Sequence, residues 1–214
     1  MSGLLQELGD QLYNGDAKAV AALTSSALQQ GTAALQILNE GLLPGMERVG
    51  RDFRDGELFI PEVIVAARAM HAALELLQPL LVNQAAVTQR KIVLGTVRGD
   101  LHDIGKKLVG IMMLGAGFQV IDLGHDVPPE RFVEAAMREK PDLVGMSALL
   151  STTMPVMKTT IEALRAAGVP PVKILVGGAP VTQAWADAIG ADGYAPDAVS
   201  AAECARSLLP PLQA

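Results

Sequence analysis

Hydrophobic residues recur every three or four positions from Met1 to about Asn83, and β-branched runs are scarce there. Leu4, Leu5, Leu8 and Leu12 form a first apolar stripe, and Asp16 stands where an N-cap belongs, ahead of Ala19, Val20, Leu23 and Leu28. Thr32 opens a third stripe through Leu35, Leu38, Leu42, Met46 and Val49. Pro61, after Phe59 and Ile60, suits the first turn of a fourth helix that carries Val63, Ile64, Met70, Leu74 and Leu77. Four amphipathic helices joined by short Gly-containing turns predict a small antiparallel bundle over residues 1–84.

A polar, alanine-rich stretch at 85–90 reads as a linker, and beyond it the texture changes. Lys91 to Val97 is a continuous apolar and β-branched run, the pattern of a strand buried on both faces. Further strands are predicted at Gln119 to Leu123, Leu143 to Ser147, Lys173 to Val176 and Asp192 to Tyr194. Helices are predicted at Ile104 to Leu114, Pro128 to Arg138, Met154 to Ala167, Val181 to Ile189 and Ala198 to Leu209. This alternation predicts an α/β domain over residues 91–214, a doubly wound five-stranded parallel sheet of flavodoxin or Rossmann type. Its ligand belongs beyond the carboxyl ends of the strands, at a switch point.

Composition narrows the class of protein. Of the 214 residues, 50% are hydrophobic, 19% charged and 3% aromatic, so a core is easily supplied and a disordered or collagen-like chain is excluded. A single Cys excludes a disulfide scaffold and a multi-thiolate metal site within one chain, and a reducing cytoplasm is the expected home. The net charge of -6, with no Lys/Arg cluster, argues against nucleic acid or an anionic membrane surface as partner. The N-terminus lacks a basic segment before an apolar run, and apolar stretches are cut short of about 20 residues, so neither a signal peptide nor a transmembrane span is predicted.

The candidate chemistry follows the first strand, in Gly99-Asp100-Leu101-His102-Asp103-Ile104-Gly105. This loop lacks the GxGxxG dinucleotide fingerprint and offers an imidazole flanked by carboxylates instead. Asp100 and His102 are two apart, so a carboxylate can accept the Nδ1 proton and leave Nε2 free for a metal. Gly105 allows close approach of a bulky ligand. Seen alone, Asp-x-His is more often a loop ion pair than a metal site; its place at the switch point favours the metal.

With these residues the sequence resembles the cobalamin-binding domain of corrinoid methyltransferase proteins, a region also found in methionine synthase. Asp100 to Gly105 matches the family's Asp-x-His-x-x-Gly signature, and Met146 to Met154 resembles its Ser-x-Leu segment. Val176-Gly177-Gly178-Ala179 is similar to the Gly-Gly turn after the fourth strand, and Gly190 to Ala198 resembles the closing motif. Gly50 to Glu62 resembles the cap segment over the upper face of the corrin, so the likeness spans nearly the whole chain.

The resemblance implies cobalamin bound with its benzimidazole displaced, His102 as the lower cobalt ligand, and Asp100 and Thr153 as a proton relay reaching toward solvent. Leu101, Asp103, Ile104 and Gly105 complete the signature loop. Ser147, Leu149, Ser151, Gly177 and Gly178 are implied to receive the nucleotide tail, Ser147 donating to the benzimidazole nitrogen, and Tyr194 and Ala195 in the closing motif are implied to bind the cofactor. An ordinary strand-to-helix turn is the plain alternative for the glycine pair. Phe53 and Ile60 are implied to shield the upper methyl ligand, although helix packing alone would also explain them. His71 is expected at the surface or in packing, His125 is assigned no chemistry, and Cys204 is expected to be a small core residue.

The function implied is a methyl carrier that cycles between methylcobalamin and cob(I)alamin. It would be served by a substrate:corrinoid methyltransferase, a corrinoid:acceptor methyltransferase and a reductive activase, and is a carrier subunit rather than a complete enzyme. The methyl donor is open among a methylamine, methanol, a betaine and a methoxylated aromatic; the acceptor is open between a folate and a thiol. A cobalamin-dependent light or ligand sensor is the alternative, disfavoured by the acidic chain and the absence of a DNA-binding element. A coenzyme B12 mutase subunit would lack the segment from Phe53 to Pro61, and a metal-free signalling domain would leave Asp100, His102, Ser147 and the glycine pair unexplained.

Overall fold

The computed structural model describes residues 2–82 and 90–210. The chain divides into two compact units, Met1–Thr88 with Leu114–Gly117, and Gln89–Met113 with Phe118–Ala214. The linker expected at 85–90 lies outside the described residues, Arg90 apart.

The first unit holds α1 (Ser2–Tyr13), α2 (Ala17–Gln29), α3 (Ala34–Gln36), a π-helical stretch (Ile37–Leu42), α4 (Leu43–Arg54) and α5 (Ile60–Val82). Asp16 caps α2 as expected, its carboxylate accepting from the N–H groups of Lys18 and Ala19. The third predicted helix is a single rod from 34 to 54 that widens into a π-turn at its middle. Pro44 supplies the reason: it has no N–H to give the Glu40 carbonyl, and the N–H of Leu43 reaches back five residues to the Leu38 carbonyl.

Leu8, Leu12, Ile37, Leu42, Met46, Met70 and Leu77 fill the core of this unit. Gly9 and Gly45 let α1 and the third rod meet backbone to backbone. A Cβ on Gly45 would lie 2.8 Å from the Gly9 carbonyl oxygen. Arg48 closes that seam, 2.8 Å from Asp10 and stacked 3.7 Å from the Tyr13 ring centroid.

The second unit is a five-stranded parallel sheet in the order β2-β1-β3-β4-β5, with β1 Lys91–Thr96, β2 Gln119–Asp122, β3 Leu143–Ser147, β4 Lys173–Gly177 and β5 Gly193–Ala195. The connecting helices are α6 (Ile104–Gly115), α7 (Pro129–Glu139), α8 (Met154–Ala166), α9 (Gln183–Ile189) and α10 (Ala198–Leu208). Element for element this is the alternation that the apolar runs predict. Val93, Phe132, Val144, Met157, Ile161 and Val176 lie in one buried cluster between the sheet and its helices.

Two consequences of the topology place the site. The chain runs outward from β1 to β2 and then returns to the other side of β1, so the loops after β1 and β3 leave the sheet side by side at a switch point. The register also brings Thr96, Ser147, Gly177 and Ala195 into one row at the carboxyl edge.

The core is tight at Gly95, where a Cβ would lie 2.5 Å from the Phe132 ring. Gly95→Ala should therefore cost about 1–3 kcal/mol through overpacking. Trp185, the single Trp, belongs to this unit, so its fluorescence during urea unfolding reads the loss directly. An unchanged midpoint would contradict the packing described.

Candidate functional site

The loop after β1 turns at Gly99, whose φ of 84° favours glycine, and folds the Asp100 side chain inward until it has no exposed surface. A buried carboxylate is costly unless its oxygens are satisfied. Asp100 meets that need with five donors. Oδ1 takes the His102 backbone N–H at 3.1 Å and faces His102 Nδ1 at 2.7 Å. Oδ2 takes the N–H groups of Leu149 at 2.7 Å and Leu150 at 3.1 Å, and the Thr153 hydroxyl at 2.8 Å.

Burial alone would raise the Asp100 pKa. The His102 ring, the Leu149 and His102 N–H groups and the Thr153 hydroxyl outweigh it and hold the carboxyl well below the usual range. An ionised carboxylate only accepts, so the proton between Asp100 and His102 sits on Nδ1, and the lone pair of the neutral ring is on Nε2. The His102 side chain is 51% exposed, available to a ligand from outside. Thr153 stands at the start of α8 but gives its helix no side-chain cap. Its hydroxyl is buried, and its second neighbour is the Leu150 carbonyl at 2.8 Å rather than solvent.

Around His102 the loops expose large apolar side chains: Leu101 (66%), Ile104 (70%), Leu149 (42%) and Leu150 (41%). Such a rim beside a polar centre marks a place where apolar surface is to be covered. Gly105 is exposed, and a Cβ there would meet nothing within 4 Å, so the backbone is open to close approach. Asp103 is engaged locally, 2.7 Å from Lys107 one turn along α6, and this pairing lowers its pKa.

The other expected site residues are distributed as follows. Ser147 and Gly177 close β3 and β4 half-buried, Ser151 is exposed, Tyr194 is half-buried and Ala195 buried in β5. Gly178 has φ 123°, and a Cβ there would lie 1.9 Å from the Ala148 carbonyl oxygen; one on Gly177 would lie 2.9 Å from that of Ala195. The glycine pair is thus required by neighbouring backbone, as a plain turn would require it. In the helical unit Phe53 is half-buried and Ile60 exposed. His71 and His125 are exposed, whereas Cys204 is only half-buried, less enclosed than a core residue.

Sequence reasoning missed several parts of the site. The N–H groups of Leu149 and Leu150 are backbone donors that no side-chain motif reveals. Thr96, fully buried, donates its hydroxyl to the His102 carbonyl at 3.0 Å. Asp126, next to the unassigned His125, accepts from the Gly99 N–H at 2.7 Å. Lys106 is buried and paired with Asp122 at the end of β2, tying the first turn of α6 to the sheet.

A parallel sheet whose switch-point loop offers a carboxylate-oriented imidazole amid exposed apolar side chains defines a cofactor-binding α/β protein. Two families described as "B12 binding domain" match this chain, one over residues 90–203 and one over 4–78. Dimethylamine corrinoid protein 1 of Methanosarcina acetivorans is 44% identical over 208 residues, covering 96% of this chain and 97% of its own. A corrinoid protein of Desulfitobacterium hafniense is 42% identical over 210 residues, with coverages of 96% and 97%. Among solved structures, a chain of the methanol:cobalamin methyltransferase complex MtaBC from Methanosarcina barkeri superposes with a TM-score of 0.85 at 29% identity, over 96% of this chain and 79% of that one. A cobalamin-binding protein from Desulfitobacterium hafniense gives 0.75 at 32% identity, over 96% and 98%.

This chain belongs to the B12-binding corrinoid proteins, and cobalamin is its cofactor. The donor set suits that group, since a single imidazole serves a metal that brings its own equatorial ligands, and the apolar rim suits a broad macrocycle. Among the described residues no helix is long and apolar enough to cross a membrane.

Asp100 also couples the site to stability. Its folded pKa lies below the unfolded one, so its contribution is complete above the ordinary carboxylate range near pH ~4 and is lost as pH falls, when the unfolded chain takes up the proton first. Asp100→Asn should cost about 2 kcal/mol or more at neutral pH. That gap should narrow toward pH ~3, as read by paired urea titrations, and a gap constant with pH would contradict the assignment.

Proposed function

We propose that this chain is a methyl carrier that holds cobalamin base-off with His102 as the lower axial ligand. The observation that carries the reading is the 2.7 Å contact from His102 Nδ1 to the fully buried Asp100, which leaves Nε2 as the ring's donor. Bound cobalamin supplies the cobalt on which a methyl group is accepted and released.

The protein's own part is the ligand bond and the proton. With Nε2 engaged, the Nδ1 proton is held against Asp100 Oδ1, which strengthens the ring as a donor. On release the exposed ring would take a proton from solvent at Nε2, and the adjacent Asp100 carboxylate would stabilise the resulting cation. Asp100 is kept ionised throughout by Leu149, Leu150 and Thr153, so Thr153 acts by holding the carboxylate. Leu101 and Ile104 give the corrin an apolar seat. Ser147 is the proposed donor to the displaced base, whose tail passes Leu149, Ser151, Gly177 and Gly178, with Tyr194 and Ala195 as further cofactor contacts. Phe53 and Ile60 are the proposed screen for the upper position, supported by the exposure of Ile60.

The partners proposed are a substrate:corrinoid methyltransferase, a corrinoid:acceptor methyltransferase and a reductive activase. Support for the first comes from MtaBC, named as a methyltransferase complex. Methylated amines are the donors with most support. The dimethylamine corrinoid protein noted above is 44% identical, against 29% for the methanol complex.

Reconstitution with hydroxocobalamin in dim light, followed by absorption spectroscopy, tests the site. The wild-type protein should give a base-off, histidine-ligated spectrum, and His102→Ala should lose that ligation while its affinity falls at least several-fold. An unchanged histidine-ligated spectrum in the variant would reject the assignment.

A further inference from the structure

The geometry points to Thr96 and Asp126 as positioning residues that fix the height of His102 above the sheet and thereby set how readily its imidazole binds cobalt. This rests on the reading of His102 as the axial ligand. Asp100 orients the ring, but a ring on a loose loop would still rise and fall with its backbone. Two residues outside the Asp100, His102 and Thr153 cluster prevent that.

Thr96 is the last residue of β1 and has no exposed surface. Its backbone is committed to the ladder, the N–H to the Gly124 carbonyl at 3.0 Å and the carbonyl to the Val127 N–H at 2.9 Å. The hydroxyl alone is left to reach upward, and it donates to the His102 carbonyl at 3.0 Å. A buried hydroxyl in that place is a prop beneath the ligand residue itself.

Asp126 lies in the connection between β2 and α7 with φ 53°, a left-handed conformation that Asp tolerates better than most side chains. Its N–H and one carboxylate oxygen are both engaged by the same loop. Its N–H donates to the Asp100 carbonyl at 3.0 Å, and its Oδ1 accepts from the Gly99 N–H at 2.7 Å. The segment 99–102 is thus held at Gly99, Asp100 and His102 by hydrogen bonds to its backbone rather than to the imidazole. With the backbone fixed in advance, forming the ligand bond costs little more than ordering the His102 side chain.

The test uses full-length protein loaded with methylcobalamin and, after reduction, with cob(II)alamin. The readouts are the pH at which half of the holoprotein loses imidazole ligation in the absorption spectrum, and the nitrogen coupling in the electron paramagnetic resonance spectrum. Thr96→Val removes the hydroxyl at nearly constant volume, and Thr96→Ser keeps it. Asp126→Gly accepts the left-handed backbone without an acceptor, and Asp126→Asn keeps an acceptor oxygen.

Loss of one net hydrogen bond should weaken ligation about three- to tenfold, which raises the half-ligation pH by about 0.5–1 unit in Thr96→Val and Asp126→Gly. The Ser and Asn variants should return close to wild type, and all four should still retain the corrinoid through gel filtration. A merely structural role would lower melting temperature without moving the half-ligation pH of the folded holoprotein, and that result would overturn the inference. The second position keeps the test open should one variant fail to fold. If the wild type loses no ligation on His102→Ala, the axial reading itself falls and this inference with it. If His102→Ala abolishes ligation while Thr96→Val and Asp126→Gly match wild type, only the positioning role is lost.

Discussion

The site depends on one buried carboxylate. Asp100 is withdrawn from water entirely, and a charge so placed is tolerated only because five donors surround it. Three of those donors come from the loop after β3, so the carboxylate is also the fastener between two loops about fifty residues apart in sequence. Orientation of the imidazole, ionisation of the acid and closure of the switch point are one set of hydrogen bonds. None can be altered without disturbing the others.

The sheet makes that fastening possible. Only an order that reverses at β1 sets the β1 and β3 loops beside each other, and the parallel register delivers Thr96 and Ser147 to the same level. The protein then keeps the edge of that gap narrow with glycine. Gly178 lies so close to Ala148 that no side chain could stand between them. The loops therefore carry function on a frame with little freedom of its own.

Much of this was legible from the order of residues alone, for identifiable reasons. Strands buried on both faces leave uninterrupted apolar runs, and helices leave a period near four, so the element order could be read directly. Asp16 and Pro61 mark helix starts by local chemistry that tertiary structure does not override. The Asp100 and His102 pair was visible because its spacing is short. What escaped depends on partners distant in sequence or on backbone groups. The donors from Leu149 and Leu150 are amides shared by every residue type, and the left-handed turn at Asp126 has no apolar period to announce it. The π-turn before Pro44 was hidden because the apolar spacing on either side of it still fits one helix. The glycine pair was visible as residues, whereas its reason, the nearness of two carbonyls, appears only in three dimensions.

The apolar rim has a thermodynamic consequence of its own. Leu101, Ile104, Leu149 and Leu150 hold hydrocarbon against water in a loop frame already set by hydrogen bonds. A cofactor seated on that surface would remove ordered solvation without a matching collapse of the protein, so its capture would carry a negative heat capacity change. Hydrophobic attraction of this kind fades on cooling. A cofactor seated there would therefore be held less firmly in the cold through this hydrocarbon, independently of any ligand bond beside it.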